Sequence, residues 1–253
     1  MGGAPGVSEP PGIVEFVRSQ FGFEPDARQV EVLESTAKQG ILNCSRQWGK
    51  STVSAAKALY RACTVPGCLV LVSAPTERQS AEWMRKVRGM AQKIAGKKAL
   101  RGDGISRISL VLPNGSRIVG LPGTDETVRG YSDVSMVLID EAARVSEEMY
   151  KCLRPMMAVS DGDVWLMSTP RGRQGFFYDA WEHGGPDWFR VLGPATECAR
   201  IKPAFLERER GVMGALSFRQ EYLGEFVDNG TGLFERDLVE GALNENIEAF
   251  QFE

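Results

Sequence analysis

Cys44-Ser45-Arg46-Gln47-Trp48-Gly49-Lys50-Ser51-Thr52 stands between an apolar pair, Ile41-Leu42, and a helix-forming run from Val53 to Leu59. Strand, loop, helix is the order in which a phosphate-binding loop occurs, and Gly49-Lys50-Ser51 closes its G-x-x-x-x-G-K-[ST] pattern. The first glycine of that pattern is missing, because Cys44 stands six positions before Lys50. In this reading the backbone N–H groups from Ser45 to Ser51 and the N-terminus of the helix form a concave donor array for a β-phosphate. Gly49 lets the backbone turn close to it, Lys50 reaches the β and γ oxygens, and the Ser51 hydroxyl is placed for Mg²⁺. Gly-Lys-Ser alone recurs by chance, so the rest of the chain has to support it.

Met136-Val137-Leu138-Ile139 is a short apolar run, the pattern of a strand buried on both faces, and it leads directly into Asp140-Glu141. Four apolar residues ending in an acid pair form a Walker B strand: Asp140 to hold Mg²⁺, Glu141 to polarise the water that attacks a γ-phosphate. The plainer reading is that the pair caps the next helix. Val164-Trp165-Leu166-Met167 is another buried strand, ending at Ser168-Thr169-Pro170. Those hydroxyls are candidates for sensing the γ-phosphate, with a turn or helix cap as the alternative. Cys68 to Val72 is a further strand. Strands alternating with helices predict an α/β fold with a mainly parallel sheet covered on both sides, its ligands at the carboxyl ends of the strands.

Around this frame, Ile13, Phe16, Val17 and Phe21 fall at helical spacing. A second helix starts near Pro25-Asp26 with Val30, Val32 and Leu33 inward. Gln29 on that helix is a candidate reader of the adenine edge, a surface glutamine being the alternative. A long helix is predicted from Thr76 to Ala95; between Glu82 and Arg101 there are seven positive residues against one acid. That run suits a phosphate backbone or simply a solvated face. Pro113-Asn114-Gly115-Ser116 predicts a hairpin between residues 108–112 and 117–121. From Phe176 the texture changes to helices with a short strand, Phe189 to Leu192, read as a smaller lid-like subdomain.

Phosphoryl transfer needs a positive charge near the γ-phosphate, worth roughly 10³ to 10⁵ in rate. Arg46, inside the loop, would act in cis; Arg129, in Thr127-Val128-Arg129-Gly130, would reach a neighbouring subunit. The sequence leaves both open.

Apolar content of 43%, charged content of 25% and a net charge of -3 are those of an ordinary globular protein and exclude a wholesale basic surface. No apolar run reaches the roughly 18 residues of a membrane span, and no signal peptide is evident, so a cytosolic protein without membrane contact is expected. Five cysteines without C-x-x-C pairs read as reduced residues, and His183, the single histidine, as a surface loop residue.

Ser45-Arg46-Gln47-Trp48-Gly49-Lys50-Ser51, Val128-Arg129-Gly130 ahead of Val137-Leu138-Ile139-Asp140-Glu141-Ala142-Ala143, Ser168-Thr169-Pro170-Arg171-Gly172 with Phe176-Phe177-Tyr178, and Phe218-Arg219-Gln220-Glu221-Tyr222-Leu223-Gly224-Glu225-Phe226 together resemble the large terminase subunit of tailed bacteriophages. That family uses the S-R-Q-x-G-K-[ST] loop, which accounts for the missing glycine. The resemblance implies a P-loop NTPase of RecA/ASCE type that hydrolyses ATP with Mg²⁺. It implies a motor that drives double-stranded DNA through a portal protein into a procapsid, with a small terminase subunit, as a homo-oligomeric ring in the host cytoplasm and a monomer in isolation. It assigns Gln29 to adenine, Ser45 to Thr52 to the nucleotide, Ser51 and Asp140 to the metal, Glu141 to catalysis, Ser168-Thr169 to coupling and Arg129 to a trans finger. The expected division is 1–12 disordered, 13–175 ATPase core, 176–230 lid, and 231–253 a linker towards a nuclease domain, without nuclease activity in this chain. The alternative is another nucleic-acid translocase or helicase-like ATPase.

Overall fold

Strict alternation along the strands builds the molecule. Leu42, Val70, Val72, Met136, Leu138, Trp165 and Met167 pack into one hydrophobic cluster, while Ile41, Leu69, Leu71, Val137, Ile139, Val164 and Leu166 pack into another. Successive side chains of a strand point to opposite faces, so these runs demand cover on both sides. The computed structural model describes residues 10–96, 101–102, 104, 108–121, 128 and 130–227. Among the expected features, residues 1–9 and 228–253, Arg129, Lys97 and Lys98 lie outside this set.

The sheet strands are β1 (Gln39–Cys44), β2 (Leu69–Ser73), β3 (Ser109–Val111), β4 (Arg117–Gly120), β5 (Val134–Asp140), β6 (Asp163–Ser168) and β7 (Trp188–Gly193). Their order is β3-β4-β2-β5-β6-β1-β7. All neighbours are parallel except the β3-β4 hairpin, which turns at Asn114-Gly115 as predicted. The register levels the carboxyl ends that matter: Asn43 lies opposite Ser168, and Asp140 opposite Met167.

One face is covered by α1 (Ile13–Phe21), α2 (Ala27–Glu34), α3 (Lys50–Thr64) and α4 (Glu77–Ala95). Ala55, Ala56, Ala58 and Ala62 give α3 a small-residue surface that settles close on the sheet. The other face is covered by α5 (Glu147–Leu153) and α6 (Gly175–Glu182). Beyond the sheet, α7 (Pro203–Met213), α8 (Ala215–Phe218) and a π-turn, Arg219–Leu223, form a small layer of their own around Leu206, Phe218 and Tyr222.

Two expectations change. The strand expected within the lid, β7, pairs with β1 over Gln39↔Trp188 to Cys44↔Gly193, so the sheet continues through Gly193. On α2 the inward position belongs to Gln29, which is fully buried, while Val30 is half-buried.

The basic side of α4 is not a uniform stripe. Arg88 donates to Ser109 O at 2.6 Å and Lys93 to Phe21 O at 2.9 Å, so both fasten the helix to its neighbours. Arg85 pairs with Glu82. His183 lies exposed at the end of α6, as its sequence context predicts.

Two details invite measurement. A Cβ on Gly40 would lie 2.3 Å from the buried Trp165 ring, its register partner. Gly40→Ala should therefore destabilise the protein by about 1–3 kcal/mol, the usual cost of overpacking, as read from urea denaturation. Lys57 donates to Val32 O, Leu33 O and Ser35 O at 3.1, 3.1 and 2.7 Å, and burial pushes its ammonium down to about 8. These carbonyls end α2, so Lys57→Met should cost about 2–3 kcal/mol by stranding them, despite removing a buried charge.

Candidate active site

The loop between β1 and α3 turns without its first glycine by using Gln47 at φ 64° and Gly49 at φ 104°. A left-handed backbone costs a non-glycine residue about 1–2 kcal/mol, so Gln47 must be held there by its surroundings. Trp48, 2% exposed, is the anchor. Its ring packs where a Cβ on Gly193 would stand, and its carbonyl accepts from Gln29 Nε2 at 3.0 Å and from the Arg200 guanidinium. Gln29 is spent twice, because its Oε1 also accepts from Asp26 N at 3.1 Å in a capping box. It is thus not a surface residue; its visible contacts brace the loop.

Not every loop donor faces a ligand. Ser45 N–H donates to Gly193 O at 2.8 Å and Arg46 N–H to Glu221 O at 3.3 Å. Among the described residues, the backbone N–H groups from Gln47 to Ser51 have no protein acceptor, so the donor array starts two residues later than the sequence suggests. The loop opens on a cleft of about 680 Å³ lined by Arg46, Gly49, Lys50, Ser51, Glu141 and Arg144, with Thr52, Gln29, Lys86 and Arg200 further around it.

Lys50 is buried, and its Nζ donates to Cys44 O and Ser45 O at 2.8 and 2.9 Å. Burial pushes its pKa down, against the pull of Glu141 and Asp140. Ser51 Oγ donates to Asp140 Oδ2 at 3.0 Å, joining the first turn of α3 to the end of β5. Burial, then the neighbouring Glu141, raises the Asp140 carboxyl above its ordinary range. A buried acid whose charge is unfavourable, sharing a hydroxyl with the loop, is a donor set that fits a divalent cation. Ser45 Oγ in the loop and Ser168 Oγ at the end of β6 are buried without a protein partner among the described residues.

Glu141 sits at φ 53°, also left-handed. No side-chain cap bond forms on the 3₁₀ turn it precedes, Ala142–Arg144, so the capping alternative fails. Its Oε2 instead accepts from Arg144 at 3.0 Å. Arg144 also donates to Thr169 Oγ1 at 3.1 Å and stands 3.5 Å from Glu221 Oε1. Neither Ser168 nor Thr169 caps a helix, since α6 starts after Gln174. Arg46 pairs with Glu221 Oε2 at 2.5 Å, and this bond raises its pKa.

Asp140, Glu141, Lys50, Ser51, Arg46 and Thr169 thus converge as the sequence implies, and Ser168 ends β6 beside them. Arg144, Arg200 and Glu221 were missed. For Arg144 a signal existed: it stands three residues after Glu141, on the next turn. Arg200 and Glu221 reach the loop only through tertiary folding.

Comparison with known proteins agrees with this geometry. The profile of the family described as "Terminase large subunit, T4likevirus-type, N-terminal" matches residues 41–240. The terminase large subunit of Thermus virus P23-45 is 24% identical over 249 residues, covering 85% of this chain and 51% of its own length. The chain therefore spans about half the length of the relatives it matches. The solved large terminase ATPase domain of Thermus phage P74-26 superposes with a TM-score of 0.73 at 23% identity, over 83% of this chain and 97% of that one. The large terminase of another thermophilic bacteriophage, solved in complex with ADP, gives 0.66 at 15% identity, over 79% of this chain and 53% of that one. With the family profile running from β1 past the π-turn, this chain belongs to the T4likevirus-type large terminase subunits, in their N-terminal region.

Proposed function

We propose that the chain is an ATP-hydrolysing motor domain that powers translocation of double-stranded DNA into a procapsid. The observation that carries it is the Ser51–Asp140 bond at 3.0 Å, which sets a metal-type donor pair between Lys50 and Glu141 in one cleft. The ADP-bound neighbour supports nucleotide as the ligand. Ser51 and Asp140 would hold Mg²⁺, which supplies charge neutralisation at the β and γ oxygens.

The chain's own residues do the rest. Free N–H groups from Gln47 to Ser51 hold the β-phosphate, and Lys50 exchanges two carbonyls for phosphate oxygens. Glu141 orients the water and accepts its proton as the new O–P bond forms and the bridging β–γ bond breaks, leaving ADP and phosphate. Arg46 supplies positive charge in cis, and Arg129 from a neighbouring subunit is the competing source. Gln29 and Arg200 border the base side of the loop. Ser168-Thr169, through Arg144, form the coupling element, and the layer from Ala195 to residue 227 acts as the lid. Portal protein, small terminase subunit and a ring of like subunits in the host cytoplasm are the partners and setting of this reading.

Glu141→Gln should bind ATP as the parent does yet turn over about 10²- to 10⁴-fold more slowly, as loss of a general base predicts. Lys50→Ala should also lose affinity, roughly ten- to a hundredfold for a charged hydrogen bond. Steady-state turnover alongside equilibrium titration separates the two, and near-parent turnover in Glu141→Gln would defeat the mechanism.

Mixing Arg129→Ala subunits with Glu141→Gln subunits decides between the arginines. Recovered ATPase activity means that Arg129 works across an interface; two inactive partners that stay inactive favour Arg46.

A further inference from the structure

Contacts divide the basic run on α4, and Lys86 is the part they leave over. Arg85 pairs with Glu82, Arg88 with the Ser109 carbonyl and Lys93 with the Phe21 carbonyl. Lys86 is exposed and, among the described residues, has no hydrogen-bond or ion-pair partner. Its place on the molecule is nevertheless fixed. Trp83, three residues earlier and 2% exposed, donates from Nε1 to the buried Ser54 Oγ at 3.1 Å, which clamps α4 against α3 just past the phosphate loop. Residues three or four apart on a helix share a face, so Gln79, Trp83 and Lys86 form one stripe. Gln79 and Lys86, on either side of the clamp, both line the cleft, and so does Thr52.

The helix places Lys86 away from the reacting end of the cleft. Glu141 stands at the very end of β5, whereas Lys86 lies well past the Thr76 cap of α4, about 15 Å along a helix that rises 1.5 Å per residue. Further along, Lys93 ties α4 to Phe21, and Phe23 next to it lines the same cleft as Gln29 and Arg200. The cations of the cleft also differ in what already holds them. Lys50 has two carbonyls, Arg46 and Arg144 have carboxylates, and Arg200 has the Trp48 carbonyl, with Asp26 Oδ2 at 3.6 Å. Among the described residues lining the cleft, Lys86 is the one cation without an acceptor. An ammonium on a flexible four-carbon stem is a movable point charge that suits a phosphate, and this one gives up no protein partner when an anion arrives.

We propose that Lys86 is a nucleotide-binding residue that reaches the α-phosphate, on the ribose side of the phosphate loop. This inference rests on the nucleotide reading above and adds a contact to the part of the ligand that hydrolysis leaves unchanged. ATP and ADP carry the same α-phosphate, so Lys86 holds both alike. It takes no part in bond breaking.

The test is equilibrium titration of ADP and of ATPγS, with Mg²⁺, into the parent chain, Lys86→Met and Lys86→Arg. For a charged hydrogen bond at an exposed site, Lys86→Met should weaken both nucleotides by the same factor, roughly three- to tenfold. Lys86→Arg, which keeps the charge, should stay within about twofold of the parent. Turnover at saturating ATP should also stay within about twofold, with the loss appearing in KM. Exposed charges are screened by salt, so the gap between parent and Lys86→Met should narrow from about 0.05 M to about 0.5 M salt. Unchanged affinities, or a loss confined to ATPγS, overturn the proposal. So does a lowered melting temperature that accompanies the loss, which marks a structural role. Unchanged nucleotide affinities with weaker binding of double-stranded DNA also overturn it and give Lys86 to the DNA backbone. If the parent chain binds neither nucleotide, the nucleotide reading itself falls, an outcome distinct from a Lys86→Met chain that binds both as the parent does.

Discussion

The hydrogen bond from Ser51 to Asp140 spans 89 residues of sequence and depends on nearly everything between them. It forms because β1 and β5 are both parallel to β6, and because the β6 register brings their carboxyl ends level. A one-residue slip of β5 would send Asp140 to the other face and exchange Met136 and Leu138 for Val137 and Ile139 between the two hydrophobic clusters. Thus the same packing that stabilises the sheet also fixes the distance between the loop and the acid pair. The stabilisation comes from apolar burial, and the site receives its geometry as a consequence.

Within the cleft the electrostatics are balanced between cations and carboxylates. Lys50, Arg46 and Arg144 face Asp140, Glu141 and Glu221, and each cation already has protein acceptors. Such pairing lets charged groups sit in a low-dielectric place without ligand. Each cation is thus held by an acceptor of the protein itself, two main-chain carbonyls for Lys50 and carboxylates for Arg46 and Arg144. Left-handed residues at Gln47 and Glu141 bend the chain on two sides of the cleft by angles that an ordinary turn would not give.

Much of this was legible in the sequence, and the boundary is physical. Strand periodicity, the Asn114-Gly115 hairpin, the Thr76 start of α4 and the ordering of loop, acid pair and Ser168-Thr169 depend on local chemistry, and all were readable. β7 was misassigned to a lid because a short strand with mixed polarity carries no label for its partner; only pairing with β1 settles it. The surface alternative for Gln29 stood open because its burial arises from the loop folding over α2. Arg88 and Lys93 counted as a basic stripe until their carbonyl partners, far away in sequence, came into view. In each case the missing information was a long-range contact, which composition and spacing do not encode.

The absent glycine has a structural answer of the same kind. Cys44 occupies the glycine position fully buried, and burial pushes its thiol up to about 12, so it is an inert packing group. A Cβ on Gly193 would meet Cys44 Sγ at 2.7 Å and Trp48 Nε1 at 2.5 Å. The space that a loop glycine ordinarily provides is supplied here by Gly193 at the end of the edge strand. Cys44 and Trp48 then fill it, clamping both ends of the turn against β7. A loop secured in this way owes its shape to the strand beside it, and β7 leads straight into the helices that end at Glu221. Substrate loop and lid layer are therefore joined twice, by Gly193 through packing and by Glu221 through charge.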